Sequence, residues 1–160
     1  MAKAKGSSVI DMLNEARAAE LTAILQYMAH HYELEDQDFG KLAKEMKAIA
    51  IEEMKHAEEL AERILFLEGT PIYQPDQQIM KGQEIAAMLL TDQKLEEKAV
   101  EMYNHHAKAC AEAGDRVSKD IFEELLAQEE EHLDRFRNIR SHIDKLGASY
   151  LATLTGSDGD

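Results

Sequence analysis

Apolar residues recur at three- and four-residue steps through four long stretches of the chain, the period of a helix with one buried face. The spacing predicts helices over residues 8–35, 40–68, 83–112 and 115–146. The first two are joined by the short polar segment EDQDFG and the last two by a turn around Gly114, so each pair should form an antiparallel hairpin. Both prolines, Pro71 and Pro75, fall between the second and third helices, within GTPIYQPDQQIMKG. That stretch is long enough to run the length of a bundle. Short, long and short connections predict an all-α four-helix bundle with one long crossover. Gly147 suits the C-cap of the fourth helix. ASYLATL after it predicts a short fifth helix, and TGSDGD a disordered tail. The expected organisation is a bundle over residues 1–147, then the fifth helix and tail over 148–160.

Composition agrees with one helical domain. The 160 residues are 44% hydrophobic and 31% charged, enough to bury one core. Net charge is −14, a surface that repels nucleic acid and anionic membranes and attracts cations. No apolar run approaches the length of a membrane span, and MAKAKGSS is not followed by the apolar stretch of a signal peptide. A cytoplasmic location is expected, with neither a nucleic-acid nor a membrane partner. Cys110 is the sole cysteine, which excludes an intrachain disulfide and a multi-cysteine metal site.

A repeat lies under the helical pattern. Shifting the sequence by 76 positions superposes Leu13 on Leu89, Glu20 on Glu96, Ala23 on Ala99, Tyr27 on Tyr103 and His30 on His106. The same shift brings Ile49 onto Leu125, Glu53 onto Glu129, His56 onto His132 and Leu60 onto Phe136. The two hairpins therefore read as copies related by an approximate two-fold axis.

Acids fall on the inward stripes of these helices. Glu20 shares a stripe with Leu13, Ala16, Ala23 and Tyr27, and Glu96 with Leu89, Ala99 and Tyr103. Glu53 and His56 sit between Ile49 and Leu60, and Glu129 and His132 between Leu125 and Phe136. Burying an unpaired carboxylate costs several kcal/mol, so four would consume much of a domain's net stability of about 5–15 kcal/mol. No lysine or arginine occupies these stripe positions. Two divalent cations would neutralise the four carboxylates, with the two histidines completing the coordination as neutral imidazoles. Each Glu-x-x-His pair puts both side chains on one helix face, within reach of one ion. Single glutamates from two helices and Glu-x-x-His from two others are the di-metal arrangement of ferritin-like bundles.

Across nearly its whole length the sequence resembles the bacterioferritins. The resemblance is carried by LNEARAAELTAILQY, by IEEMKHAEELAERILFLEGTP, by TDQKLEE and by LLAQEEEHLD. It implies a ferritin-like bundle in which Glu20, Glu53, His56, Glu96, Glu129 and His132 are the metal ligands of a ferroxidase centre, with Glu53 and Glu129 bridging. Tyr27 matches the family tyrosine beside the di-iron centre, a source of an electron or a hydrogen bond. Met54 matches the axial ligand of a haem shared across a two-fold axis between subunits. It lies about 100° around the helix from Glu53, away from the bundle centre, and Leu21, Leu25 and Met28 are candidates for the haem's apolar pocket. Two departures stand out: Ala48 and Glu52 occupy positions where many members carry a His and an Asp of an inner-surface iron site, and Lys47 replaces an aromatic often found beside the haem. His30, His31, His105 and His106 match no family role and read as structural or surface residues.

The function implied is iron storage and detoxification. Two irons per subunit would be oxidised from Fe(II) to Fe(III) by O2 or H2O2, and mineral kept inside a 24-subunit homo-oligomer. A ferredoxin-type electron donor is an implied partner. A rubrerythrin-like peroxidase on the same scaffold usually carries a four-cysteine module that Cys110 cannot supply, and a di-manganese catalase fits this length poorly. An iron- or haem-buffering shell with little turnover, and a metal-free structural bundle, are the remaining rivals.

Overall fold

Four long helices carry the chain: α1 (Ala2–Asp36), α2 (Gly40–Phe66), α3 (Ile85–Glu112) and α4 (Arg116–Leu146), followed by the one-turn α5 (Ala148–Ala152). They are taken from a computed structural model that describes the backbone of residues 2–157 and the side chains of residues 9–157. Helix α1 packs mainly on α2, and α3 on α4, so the two predicted hairpins are the structural units. The segment between α2 and α3 climbs back along α1. Asn14 exchanges hydrogen bonds with Thr70 O (3.0 Å) and Ile72 N (3.0 Å). Further along, Thr22 receives Asp76 N (2.9 Å), and Gln26 both donates to Met80 O (2.9 Å) and accepts from Met80 N (2.8 Å). These polar residues of α1 satisfy the backbone of a strap with no secondary structure of its own. They also set the bundle's order, in which α2 and α3 run parallel.

The repeat reaches into the turns. Asp38 and Gly114, which the 76-residue shift superposes, both take positive φ, 64° and 79°. In each turn the next residue donates back to the helix, Phe39 N to Leu34 O (2.9 Å) and Asp115 N to Cys110 O (3.0 Å). This left-handed residue after the last turn satisfies carbonyls that the helix end would leave bare. Asp115 then caps α4, accepting from Ser118 N at 3.0 Å and pairing with Arg63 of α2 at 2.9 Å. Predicted and observed helix ends agree within two residues except at the start of α1, which lies at Ala2 instead of residue 8, and the C-terminus of α2 falls two residues short of its predicted place. There Glu68 turns to φ 65° and ends the helix at Phe66 instead of residue 68.

The C-terminal end departs from expectation. The sequence predicts disorder from Thr155 onward. Instead Gly156 N donates to Asp38 O (2.8 Å), and Lys41 N to Leu154 O (3.2 Å), pinning the tail onto the α1–α2 turn. Gly40 permits this approach, since a Cβ there would lie 2.3 Å from Gly156 O. Polar composition pointed to disorder, but main-chain pairing with a tight turn leaves no compositional mark. Residues 158–160 of the expected tail lie outside the described residues.

The interior is divided. One apolar cluster gathers Tyr27, Leu34, Leu42, Met46, Ile49, Met88, Leu89 and Phe136 toward the α5 end. A second gathers Val9, Leu13, Leu60, Ile64, Tyr103, Phe122 and Leu125 toward the other. A polar layer separates them.

Candidate metal centre

That layer consists of the six residues singled out by their stripe positions. Glu20, Glu53, His56, Glu96, Glu129 and His132 each retain 3% or less of their surface, so the sequence-predicted set comes together in full and in the dry interior. Each helix delivers its share because the acid or acid–histidine pair replaces one rung of an otherwise apolar face.

Their atoms converge on two overlapping points. Glu20, Glu53, His56 and Glu129 offer ligand atoms all within 4.8 Å of one another, and so do Glu53, Glu96, Glu129 and His132. Glu53 and Glu129 belong to both groups. His56 Nδ1 lies 2.8 Å from Glu53 Oε2, 2.8 Å from Glu129 Oε1 and 3.4 Å from Glu20 Oε1. His132 Nδ1 lies 3.0 Å from Glu53 Oε1 and 3.6 Å from Glu96 Oε1. The two rings are stacked, 5.9 Å apart at 17°.

Short contacts here do not amount to satisfied hydrogen bonds. Glu53 Oε2, His56 Nδ1, Glu96 Oε2 and Glu129 Oε1 are buried without a properly directed partner, although charged neighbours surround them. Lone pairs aimed at a common centre, instead of at each other's protons, are what a cation site requires and what a hydrogen-bond network avoids. The donor set, four carboxylates and two imidazoles, suits a first-row divalent metal such as iron. The residues therefore fit the two metal ions that their spacing implied.

Without metal the cluster must be balanced by protons. Burial, then the charges of Glu20 and Glu96, pushes the Glu53 carboxyl well above the usual range. Burial and the charges of Glu20, Glu53 and Glu96 do the same to Glu129. Burial also works against Glu96, but hydrogen bonds from Glu129, His132 and Glu53 overcome it and hold that carboxyl low. Burial alone would lower the His56 pKa; the close approach and charges of Glu129 and Glu20 instead raise it to about 11.

Two tyrosines complete the layer. Tyr27 Oη donates to Glu96 Oε1 at 2.5 Å, and Tyr103 Oη donates to Glu20 Oε1. The pairs are two-fold mates, each tyrosine reaching the glutamate of the opposite hairpin. Burial, followed by the nearby carboxylates, keeps both phenols protonated by raising their pKa well above normal. Tyr103 carried no predicted role, yet the 76-residue shift superposes it on Tyr27 and so contained the signal. Sequence reasoning also missed the groups on the outer nitrogens. Glu52 pairs with His132 Nε2, and Gln128 Oε1 lies 2.8 Å from His56 Nε2. A cleft of about 350 Å³, lined by Glu52, Glu131, His132, Asp134 and Arg135, opens outside His132.

The remaining histidines have structural surroundings. His30 is fully buried and bound to Asp92 (3.0 Å), and His31 Nδ1 lies 2.7 Å from Ala43 O. His106 is buried beside Phe122, whereas His105 is exposed. Met54, by contrast, is 53% exposed, and Leu25 of α1 and Ile51 of α2 are exposed as well. No helix among the described residues is long and apolar enough to cross a membrane.

Comparison with known proteins points the same way. Residues 10–146 match the ferritin-like domain family. The chain is similar to a bacterioferritin of Desulfovibrio desulfuricans, at 45% identity over 94% of this chain and 84% of the relative. It is also similar to a bacterioferritin of Rhodobacter capsulatus, at 40% identity over 96% of each chain. The X-ray structure of a D. desulfuricans bacterioferritin, described by its di-iron site in different catalytic states, superposes with a TM-score of 0.97. It has 42% identity and covers 100% of this chain and 94% of that one.

Proposed function

This chain belongs to the bacterioferritins, within the ferritin-like proteins, and from that membership we propose that it oxidises ferrous iron and stores the ferric product. The observation that carries the reading is the convergence of six buried side chains into two four-residue groups that share Glu53 and Glu129. Ferrous iron is the substrate. Glu20 and His56 hold one ion, Glu96 and His132 the other, and Glu53 and Glu129 bridge them. Two ferrous ions release two electrons, enough to reduce O2 to H2O2 or H2O2 to water. Carboxylate charge favours the ferric product, because four anions offset the added positive charge. Tyr27 fixes Glu96 by binding one oxygen and leaving the other for metal, and Tyr103 does the same for Glu20. A small cavity of about 10 Å³, bordered by Ala23, Lys98 and Ala99, lies beside Glu20, Glu96 and Glu129.

The acidic chain, at −14, suits a shell that draws cations inward. We assign it a 24-subunit assembly in the cytoplasm, with a ferredoxin-type donor to reduce stored iron. Anaerobic addition of Fe(II), then oxygen, tests the reading in a stopped-flow spectrometer. A fast oxidation phase saturating at two irons per chain is expected. Binding of two irons with no fast phase would make the protein an iron-buffering shell instead.

Haem is the second component of the proposal. A thioether suits haem iron as an axial ligand, and Met54 is exposed, where a copy of the chain could supply a second one. Leu25, Leu21 and Met28 would hold the macrocycle by apolar contact. Haem supplies a one-electron path when bound. Replacing Met54 by Leu keeps the position apolar and should abolish the bis-methionine visible spectrum while the fast iron phase persists. A haem spectrum unchanged in Met54→Leu would remove this assignment.

A further inference from the structure

The two metal positions are related by the repeat, but their outer partners are not the same. Glu52 and Gln128 are superposed by the 76-residue shift, and each directly precedes a shared glutamate. They act across the bundle, each on the histidine of the other hairpin. Glu52 of α2 meets His132 Nε2, while Gln128 of α4 meets His56 Nε2 at 2.8 Å. Both imidazoles turn Nδ1 to the cluster and Nε2 to these partners. A metal on Nδ1 obliges Nε2 to carry the proton, so each outer partner accepts a hydrogen bond. One acceptor is a carboxylate and the other a neutral amide oxygen. Glu52 stands at the margin of the water-facing cleft, its side chain 43% exposed.

The physical consequence follows from ligand basicity. A carboxylate on the outer N–H pushes electron density into the ring and strengthens the inner nitrogen as a donor; an amide does so far less. We propose that Glu52 and Gln128 are positioning residues that make the two metal positions unequal, so that the position served by His132 takes a divalent cation first and holds it more tightly. The inference rests on the di-metal reading above and adds an order of filling to it. The sequence symmetry would otherwise predict two equivalent halves, and a single acid-to-amide difference breaks it.

Cobalt(II) titration of the metal-free chain, under nitrogen, tests this without iron turnover. Binding is followed by calorimetry and by the cobalt ligand-field bands. Two resolved steps are expected. Glu52→Gln should weaken the first step about tenfold or more, the range seen for outer partners of ligating imidazoles, and leave the second within about threefold. Gln128→Glu should tighten the second step and leave the first. A His56→Ala background, retaining the His132 position, should bind one equivalent and still respond to Glu52→Gln. A His132→Ala background should bind one equivalent and not respond. Both outer substitutions are nearly isosteric at partly exposed positions, and a far-UV spectrum verifies the fold. Unchanged steps in Glu52→Gln would overturn the inference while leaving the di-metal reading intact. Equal weakening of both steps would also overturn it, since that is what a distant negative charge alone would do. If cobalt fails to bind the wild-type chain, the di-metal reading falls and this inference with it.

Discussion

Glu53→Gln is expected to abolish the fast phase of iron oxidation by about 100-fold or more while leaving the metal-free chain close to wild-type stability. The two halves of this outcome have one origin. Glu53 is completely buried and belongs to both ligand groups. Changing only an outer partner of a metal ligand costs 10–100-fold in affinity or activity. Removing the charge of a carboxylate shared by both ions should therefore exceed the upper end of that range. Without metal the balance differs. Burial and the charges of Glu20 and Glu96 hold Glu53 as the neutral acid. Glutamine is nearly the same shape and equally neutral, so stability should move by no more than the roughly 1 kcal/mol of an average substitution. Urea unfolding of chelated protein reads the second half, and stopped-flow oxidation the first. A fast phase at wild-type rate in Glu53→Gln would show that Glu53 is not a shared ligand. A large stability loss would show that the carboxyl is ionised and paired in the metal-free state.

That separation explains how much of the site was legible before the fold was known. Helical period places Glu20, Glu53, Glu96 and Glu129 on inward faces, and buried acids without cationic neighbours demand compensation wherever they meet. Bundle topology was legible for a similar reason, because only one connection, carrying Pro71 and Pro75, is long enough to cross the bundle. Period says nothing of which residue stands opposite. Tyr103 binds Glu20 across 83 positions of sequence and Tyr27 binds Glu96 across 69. Both pairings depend on the stagger of α1 against α3, which no single helix encodes. Glu52 shows the limit most clearly. It looks like a solvated acid on the edge of α2, and only the approach of α4 brings His132 Nε2 against it. The docking of Gly156 on Asp38 was hidden for a related reason, since a main-chain hydrogen bond requires no particular side chain.

Removing metal should make stability depend on pH in a direction opposite to that of most acidic proteins. Glu53 and Glu129 have raised pKa values in the fold, so the native state keeps protons that the unfolded chain releases near the ordinary carboxyl value of about 4.3. The stabilisation from these protons is complete below that value and is lost as pH rises toward the raised native values. His56 adds to the trend, its contribution being full below 6.5 and lost as pH rises through about 11. Glu96 acts in the opposite sense, but its depressed pKa confines its effect to pH below the ordinary carboxyl range. Between pH 5.5 and 8.5 the chelated protein should therefore melt at progressively lower temperature. Metal reverses this, since cations displace those protons and bind more tightly as pH rises. Zinc, which does not change oxidation state, at about 100 times its Kd adds about 2.7 kcal/mol for each site. Two sites contribute roughly 5 kcal/mol, or about 10–20 °C in Tm for a chain of this size. The gap between zinc-loaded and chelated samples should widen steadily from pH 5.5 to 8.5 at fixed protein concentration. A chelated protein whose Tm stays flat or climbs across that interval would mean that the buried carboxyls do not hold protons in the metal-free fold.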